Sequence, residues 1–137
     1  MSNCIICNIV QNKIPSERIF ENESFVSFLD INPITFGHTL VSPKAHFETL
    51  LDLPVDILSK LILIVQDVAK AVCKGTNSNG FNLLQNNHSC AGQSVAHVHM
   101  HIIPRKIGDG ISFKWNPGKY PSGEISKISG IIRASFQ

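Results

Sequence analysis

The longest amphipathic segment of the chain is LDLPVDILSKLILIVQDVAKAVCKG, residues 51–75. Its apolar residues recur at spacings of three and four, which is typical of a helix lying on a sheet. Pro54 suits a first helical turn, so we expect the helix to begin at Asp52 or Leu53 and Gly75 to follow its last periodic residue. The apolar stripe comprises Ile57, Leu58, Leu61, Ile64, Val65, Val68 and Val72.

Shorter β-rich segments lie on both sides of this helix. SERIFENESFVSFLDI holds two of them around the polar turn 21–23, GHTLVSP predicts a strand closed by Pro43, and GFNLLQN predicts another. CIICNIVQNK predicts a short helix or turn, and EISKISGIIRASF predicts a short final helix. Hairpins with one main helix indicate an α+β domain on an antiparallel sheet. The isoleucines of the final helix are Ile125, Ile128, Ile131 and Ile132.

HVHMHIIPR, residues 97–105, places three of the six histidines at every second position. A spacing of two is the side-chain repeat of a strand, so we expect His97, His99 and His101 to share one face. Histidine changes charge near neutral pH and is a common metal ligand. The pattern therefore predicts a site, although a plain polar face or a metal site without chemistry would also fit it. The residues expected on the core face are Val98, Met100 and Ile102.

The loop NHSCAGQS leads directly into the histidine segment. Backbone N–H groups beside Gly92 and the hydroxyl of Ser94 suit phosphate oxygens. An imidazole next to them can attack phosphorus as a nucleophile, and neighbouring histidine donors can stabilise the developing negative charge. Three histidines in register behind AGQS therefore favour chemistry on a phosphate.

The cysteines Cys4 and Cys7 form a C-x2-C pair close to the N-terminus. Such a pair can be a metal knuckle, a redox pair or chance, and the βαβ pattern expected beside a redox pair is missing. Zinc requires two further nitrogen or sulfur ligands, for which His46 and His97 are candidates.

Length and charge restrict the number of domains and the kinds of partner that we expect for this chain. A chain of 137 residues predicts one domain, residues 1–137. A net charge of +2 with scattered Lys and Arg argues against a nucleic-acid partner, and no apolar run approaches a membrane span. The N-terminus shows no signal-peptide pattern, so four cysteines predict a reduced, cytoplasmic setting, or a nuclear one in a eukaryote. There is no GxGxxG or Walker pattern.

HVHMHIIPR matches the His-x-His-x-His-x-x signature of the histidine triad (HIT) family of nucleotide hydrolases and transferases, and the chain resembles its Hint branch. The resemblance extends over CIICNIVQNKIPSERIFENESFVSFLDINPITFGHTLVSPKAH, AGQSVAHVHMHIIPR and WNPG. It implies a HIT-like fold, with an antiparallel sheet of about five strands, one long helix and a short C-terminal helix. It also implies a homodimer whose two sheets join.

The resemblance assigns roles to individual residues. His99 would attack the α-phosphorus of a purine nucleotide conjugate and form a nucleotidyl-histidine intermediate that water then cleaves. His101 would hydrogen-bond the phosphate or the leaving group, and His38 would assist. The other nucleotide contacts implied are Asp30 at the ribose, Ile31 at the base, Asn86, Gly92 and Ser94 at the phosphate, and Gln93 at the bridging atom.

The resemblance also implies structural Zn²⁺ held by Cys4, Cys7, His46 and His97, with no catalytic metal required. We therefore expect a hydrolase of nucleoside phosphoramidates, aminoacyl adenylates or dinucleoside polyphosphates. One alternative is a nucleotidyltransferase, in which the third motif position is typically glutamine rather than the histidine found at 101. The other is a nucleotide-responsive scaffold whose catalysis is incidental. Trp115, in the tail, is either a packed turn residue or a determinant of substrate choice.

Overall fold

A computed structural model describes residues 3–136 of the chain. Five antiparallel strands form one sheet with the order β1-β2-β3-β5-β4, which confirms the predicted α+β class. The strands are β1 (Arg18–Glu21), β2 (Phe25–Leu29), β3 (Thr39–Pro43), β4 (Gly80–Leu84) and β5 (Met100–Arg105). The α-helices are α1 (Ile5–Val10), α2 (Val55–Thr76) and α3 (Glu124–Ala134).

The sheet is covered by a helix on each face. On one face the buried side of α2, including Leu61 and Val65, packs against Phe25, Val41 and Ile102. Each such side chain that leaves water stabilises the fold by about 1.5–3 kcal/mol. On the other face the short α1 contributes a smaller apolar cluster, whose buried members are Ile6, Ile9, Val26, Phe28 and Leu40. Among the described residues no helix is long and apolar enough to cross a bilayer.

The bounds expected for the long helix are wrong by a few residues at each end. Thr49 and Asp52 form a capping box that closes a separate 3-10 turn, and Leu53, which precedes a proline, is extended. The helix therefore begins at Val55. At its other end Gly75 remains helical, because Asn77 with φ of 50° supplies the left-handed cap.

The histidine segment is only partly a strand. Its ladder with β3 ends at the pair Val41–Met100, so His97 and His99 lie before β5. Pro43 has no N–H with which to continue the ladder. The segment is held instead by the Ser42 hydroxyl, which donates to the Val98 carbonyl at 2.8 Å, and by the Phe47 carbonyl. The apolar residues between the histidines are buried as expected: Val98, Met100 and Ile102.

Candidate active site and metal centre

A cavity of about 240 Å³ opens on the α1 side of the sheet. Its apolar wall comes from α1 and from the strands below it, with Ile6, Ile9 and Phe28 as its largest buried members. Asp30 and Ser94 also line it, as do His99 and His101. The cavity therefore combines an apolar wall with a polar side, an arrangement that suits a ligand with a flat apolar part and a charged part.

The His99 ring is buried and has a defined orientation. Its Nδ1 lies 2.6 Å from the carbonyl oxygen of His97. A carbonyl oxygen can only accept, so we assign the ring proton to Nδ1, which donates this bond. In the neutral ring the lone pair is then on Nε2. This nitrogen can act as a nucleophile without first losing a proton.

His38 and His101 are joined in a chain of hydrogen bonds with the opposite protonation pattern. The backbone N–H of Ile34 donates to His38 Nδ1 at 3.1 Å, so the proton of the neutral ring is on Nε2. That Nε2 lies 2.9 Å from His101 Nδ1 and donates to it. The remaining proton of His101 is therefore on its Nε2. His101 is a hydrogen-bond donor, whereas His99 presents a lone pair.

Burial keeps these two donors neutral. It lowers the pKa of His101 to about 4, with further lowering by the charges of His99 and His38 and a smaller opposing effect of Asp30. Burial also lowers the pKa of His38 below its usual value, against the attraction of Asp30. Near neutral pH His101 therefore acts through its neutral N–H group.

Asp30 and Ile31, expected at the ribose and the base, both line the cavity. One carboxylate oxygen of Asp30 accepts from the backbone N–H of Asn32 at 2.8 Å, and the other lies 3.8 Å from His38 Nε2. Asp30 is half-buried, so it also faces the cavity, while the Ile31 side chain is 84% exposed. Asp30 thus shapes the turn and remains accessible to a ligand.

In the loop before the histidine segment, one residue faces the cavity and the others make hydrogen bonds that hold the loop in shape. Ser94 lines the cavity. The Gln93 side chain is buried: its oxygen accepts from the His88 N–H at 2.7 Å and its nitrogen donates to the Glu48 carbonyl at 2.6 Å. Asn86 donates to the carbonyl of Gly92 at 3.3 Å. In this structure Asn86, Gly92 and Gln93 hold the loop in shape behind Ser94.

Four side chains next to the cavity form a group that could hold a metal ion: Cys4, Cys7, His46 and His97. His97 Nδ1 lies 3.2 Å from His46 Nδ1 and 3.4 and 3.5 Å from the sulfurs of Cys4 and Cys7. In tetrahedral coordination, bonds of about 2.1 Å to nitrogen and about 2.3 Å to sulfur separate the donor atoms by about 3.3–3.8 Å. The spacing therefore fits Zn²⁺.

The outer hydrogen bond of His97 also fits a metal ligand. Its Nε2–H donates to the Pro43 carbonyl at 2.9 Å, which leaves the Nδ1 lone pair for the metal. Asp30, His38 and His101 form a second group with closely spaced ligand atoms. There the Ile34 N–H occupies His38 Nδ1, so Nε2 carries a proton and has no lone pair for a cation. Of these two groups, only the first contains a histidine, His97, whose hydrogen bond leaves a ring lone pair for a metal.

Residues 11–108 match the HIT domain. The chain belongs to the HIT family. Over 133 residues it is 40% identical to the protein named hit of Bacillus subtilis, covering 95% of this chain and 92% of that protein. It is 40% identical over 109 residues to an adenosine 5'-monophosphoramidase of Candida albicans, covering 77% and 72% of the two chains. It is 38% identical over 108 residues to an adenylylsulfatase of Arabidopsis thaliana, covering 79% of this chain and 55% of that protein.

Solved structures of HIT proteins agree with the fold. The crystal structure of a HIT family member from Bacillus subtilis superimposes with a TM-score of 0.91 at 38% identity and covers 99% of both chains. A zinc-bound histidine triad family protein from Mycobacterium smegmatis superimposes with a TM-score of 0.77 at 36% identity, covering 97% of this chain and 98% of the other. The likeness to the HIT family therefore extends over nearly the whole chain.

Several contributors to the HIT site were not found from the sequence. The Ile34 amide and the Pro43 and His97 carbonyls set the protonation of three histidines. Every residue has a backbone carbonyl and nearly every residue an N–H group, so the residue types give no sign of which of these groups bind the histidines. The apolar wall from α1 could have been predicted, because Ile6 and Ile9 are three residues apart and so share one helix face. Neither residue was assigned a role from the sequence.

The lowered pKa of His101 predicts how this ring titrates. By NMR, we expect its protonation midpoint at about pH 4 in the folded protein and at about 6.5 in urea, the ordinary value. Because the unfolded chain then binds this proton first, His101 reduces stability as the pH falls from about 6.5 towards 4. A folded-state midpoint near 6.5 would contradict the assignment of a neutral donor.

Proposed function

We propose that this protein hydrolyses purine nucleotide conjugates at the α-phosphorus through a nucleotidyl intermediate on His99. One observation carries the proposal: His99 is a buried imidazole at the cavity, and its Nδ1 lies 2.6 Å from the His97 carbonyl oxygen, to which it donates. Its Nε2 is therefore a nucleophile in place. Relatives named adenosine 5'-monophosphoramidase and adenylylsulfatase support nucleotide hydrolysis at the level of the family.

In the proposed complex, each part of such a substrate contacts a different part of the cavity. The base lies against the isoleucines of α1 and Ile31, and Asp30 accepts hydrogen bonds from the ribose hydroxyls. The phosphate then reaches the polar side, where the Ser94 hydroxyl and His101 Nε2–H donate to its oxygens. Asn86, Gly92 and Gln93 act at the phosphate mainly by holding the loop that presents Ser94.

The reaction takes two displacements at phosphorus. His99 Nε2 forms a bond to the α-phosphorus as the bond to the leaving group breaks, and the leaving group takes up a proton from solvent. Water then forms a new P–O bond and gives a proton back to solvent as the P–N bond to His99 breaks, releasing the nucleoside monophosphate. Through both steps Nδ1–H remains bonded to the His97 carbonyl, which stabilises the positive charge that the ring acquires. His101 stabilises the phosphate oxygens as a neutral donor, with His38 holding its orientation.

We also propose that Cys4, Cys7, His46 and His97 hold structural zinc. With all four positions filled by protein ligands, no position is open for catalysis. The metal would fix His97, whose carbonyl orients the nucleophile. The zinc centre would thus stabilise the active site through His97, which is a metal ligand and also holds the His99 ring in place.

The β4 edge of the sheet supports a homodimer. β4 pairs with β5 on one side only, and its outward residues Phe81 and Leu83 are each 45% exposed. Ile62 and Leu63 of α2 lie beside them and are 45% and 62% exposed. An unprotected edge strand next to apolar side chains is a ready pairing surface. We propose that two copies pair through β4 and form one continuous sheet.

Replacing the nucleophile tests the proposed reaction. With adenosine 5'-monophosphoramidate as substrate, we expect His99→Ala to lower kcat/KM about ten-thousandfold, because the covalent step is lost. The matched control is His88→Asn, since the His88 side chain is exposed and does not line the cavity, and one side chain with a Cβ replaces another. The control should stay within about threefold. A His99→Ala protein that retains a tenth of the activity would refute the mechanism.

Removing one metal ligand tests the zinc centre. We expect the protein to bind one equivalent of Zn²⁺ per chain, measured by elemental analysis after dialysis. Cys7→Ser should lose that zinc and lower Tm by about 5–10 °C, because zinc binding free energy is part of folding free energy. Cys90→Ser alters an exposed thiol outside the group and should retain both values. Equal zinc content in the two variants would exclude Cys7 as a ligand.

A further inference from the structure

The segment that carries His99 lies directly beyond the β3–β5 ladder. The last pair of that ladder is Val41–Met100, and the same register places Pro43 opposite Val98. In an antiparallel ladder, a backbone N–H at position 43 that pointed towards β5 would donate to the Val98 carbonyl. The backbone of Pro43 therefore decides whether the ladder can hold the histidine segment.

The backbone of Pro43 does face β5. The next N–H along the chain, that of Lys44, donates to the Ser24 carbonyl at 2.8 Å, on the β2 side of the strand. Successive residues of a strand direct their backbone groups to opposite sides, so those of Pro43 point towards β5. In agreement, the Pro43 carbonyl accepts from the His97 ring at 2.9 Å. Because proline has no N–H, the ladder provides no donor to the Val98 carbonyl.

The Ser42 hydroxyl supplies the missing donor. It donates to the Val98 carbonyl at 2.8 Å, and both residues are completely buried. It also lies 3.0 Å from the Pro43 carbonyl, the oxygen that accepts from the His97 ring. A buried carbonyl that loses its donor cannot turn to bulk water instead. The Val98 carbonyl therefore depends on this serine.

Two hydrogen bonds fix the two peptide groups that precede His99. A peptide group is planar, so a bond to its N–H also fixes the direction of its carbonyl. The Val98 N–H donates to the Phe47 carbonyl at 2.7 Å. The carbonyl of that peptide belongs to His97 and accepts from the His99 ring. The Ser42 bond fixes the following peptide, which joins Val98 to His99.

We propose that Ser42 is a positioning residue for the reaction at His99: its hydroxyl holds the Val98–His99 peptide in the orientation that directs Nε2 into the cavity. Ser42 itself does not line the cavity, so it acts through the backbone. The proposal rests on the proposed function, because it takes His99 as the nucleophile. It adds a serine of β3 whose side chain replaces the backbone donor that Pro43 lacks.

A matched pair of alanine substitutions tests this role by kinetics. Ser27→Ala makes the same change as Ser42→Ala at an equally buried site on β2, where the hydroxyl has no hydrogen-bond partner among the described residues. With adenosine 5'-monophosphoramidate, we expect Ser42→Ala to lower kcat about tenfold and to keep KM within about threefold, because a small displacement of a reacting atom is costly. Ser27→Ala should keep both constants within about twofold. Equal kcat values for the two variants would overturn the proposal.

Nitrogen NMR of the imidazole rings separates positioning from a general loss of structure and needs no turnover. In the unaltered protein we expect His99, assigned by the loss of its signals in His99→Ala, to carry its proton on Nδ1 alone. Ser42→Ala should show a mixture of both tautomers, because the ring is no longer aligned with the His97 carbonyl. A lowered kcat with the Nδ1 tautomer intact would also overturn the proposal.

Threonine and valine at position 42 repeat the test with two side chains of the same shape. Ser42→Thr keeps a hydroxyl, so we expect the single tautomer and a kcat within about threefold of the unaltered protein. Ser42→Val has a methyl group in its place and should behave like Ser42→Ala, and this pair decides the question if the alanine variant does not fold. The same tautomer in both variants would contradict the proposal. A tautomer change in a protein that does not cleave the phosphoramidate would contradict the proposed hydrolysis alone.

Discussion

The site depends on one hydrogen bond, from Nδ1 of His99 to the carbonyl oxygen of His97, at 2.6 Å. This bond places the lone pair of His99 on the nitrogen that we propose attacks phosphorus. It also connects the cavity to the group that could hold a metal ion, because His97 Nδ1 faces Cys4 and Cys7. Because His97 and His99 are only two residues apart, we expect a change at either site to affect the other through this short segment.

Hydrogen bonds to backbone groups determine which ring nitrogen of each histidine carries the proton. His97 and His99 each donate to a carbonyl, so each has a lone pair on its other nitrogen. We propose that these lone pairs serve a metal and phosphorus respectively. His38 accepts from an amide instead, and its ring and that of His101 become donors. Burial, which lowers the pKa of His101, preserves this arrangement near neutral pH. In the proposed mechanism, one of these four histidines is a zinc ligand, one is the nucleophile, one is a hydrogen-bond donor and one orients that donor.

Features that follow from repeating patterns of side-chain type were predictable from the sequence. The periodicity of α2, the hairpin of β1 and β2, the buried Val98 and Met100, and the Cys–His group all follow from such patterns. Features set by main-chain geometry were not predictable in the same way. The start of α2 depends on a capping box, and β5 begins late because Pro43 cannot continue the ladder. The Gln93 side chain bonds to two backbone groups whose positions only the folded chain defines.

We propose that His99 Nε2 points at the phosphorus of a bound nucleotide. A crystal of the protein soaked with adenosine monophosphate measures this directly. We expect phosphorus within about 3.5 Å of that nitrogen, with Nδ1 still donating to the His97 carbonyl. A phosphate bound elsewhere, or a His99 ring turned so that Nε2 faces the carbonyl, would contradict it.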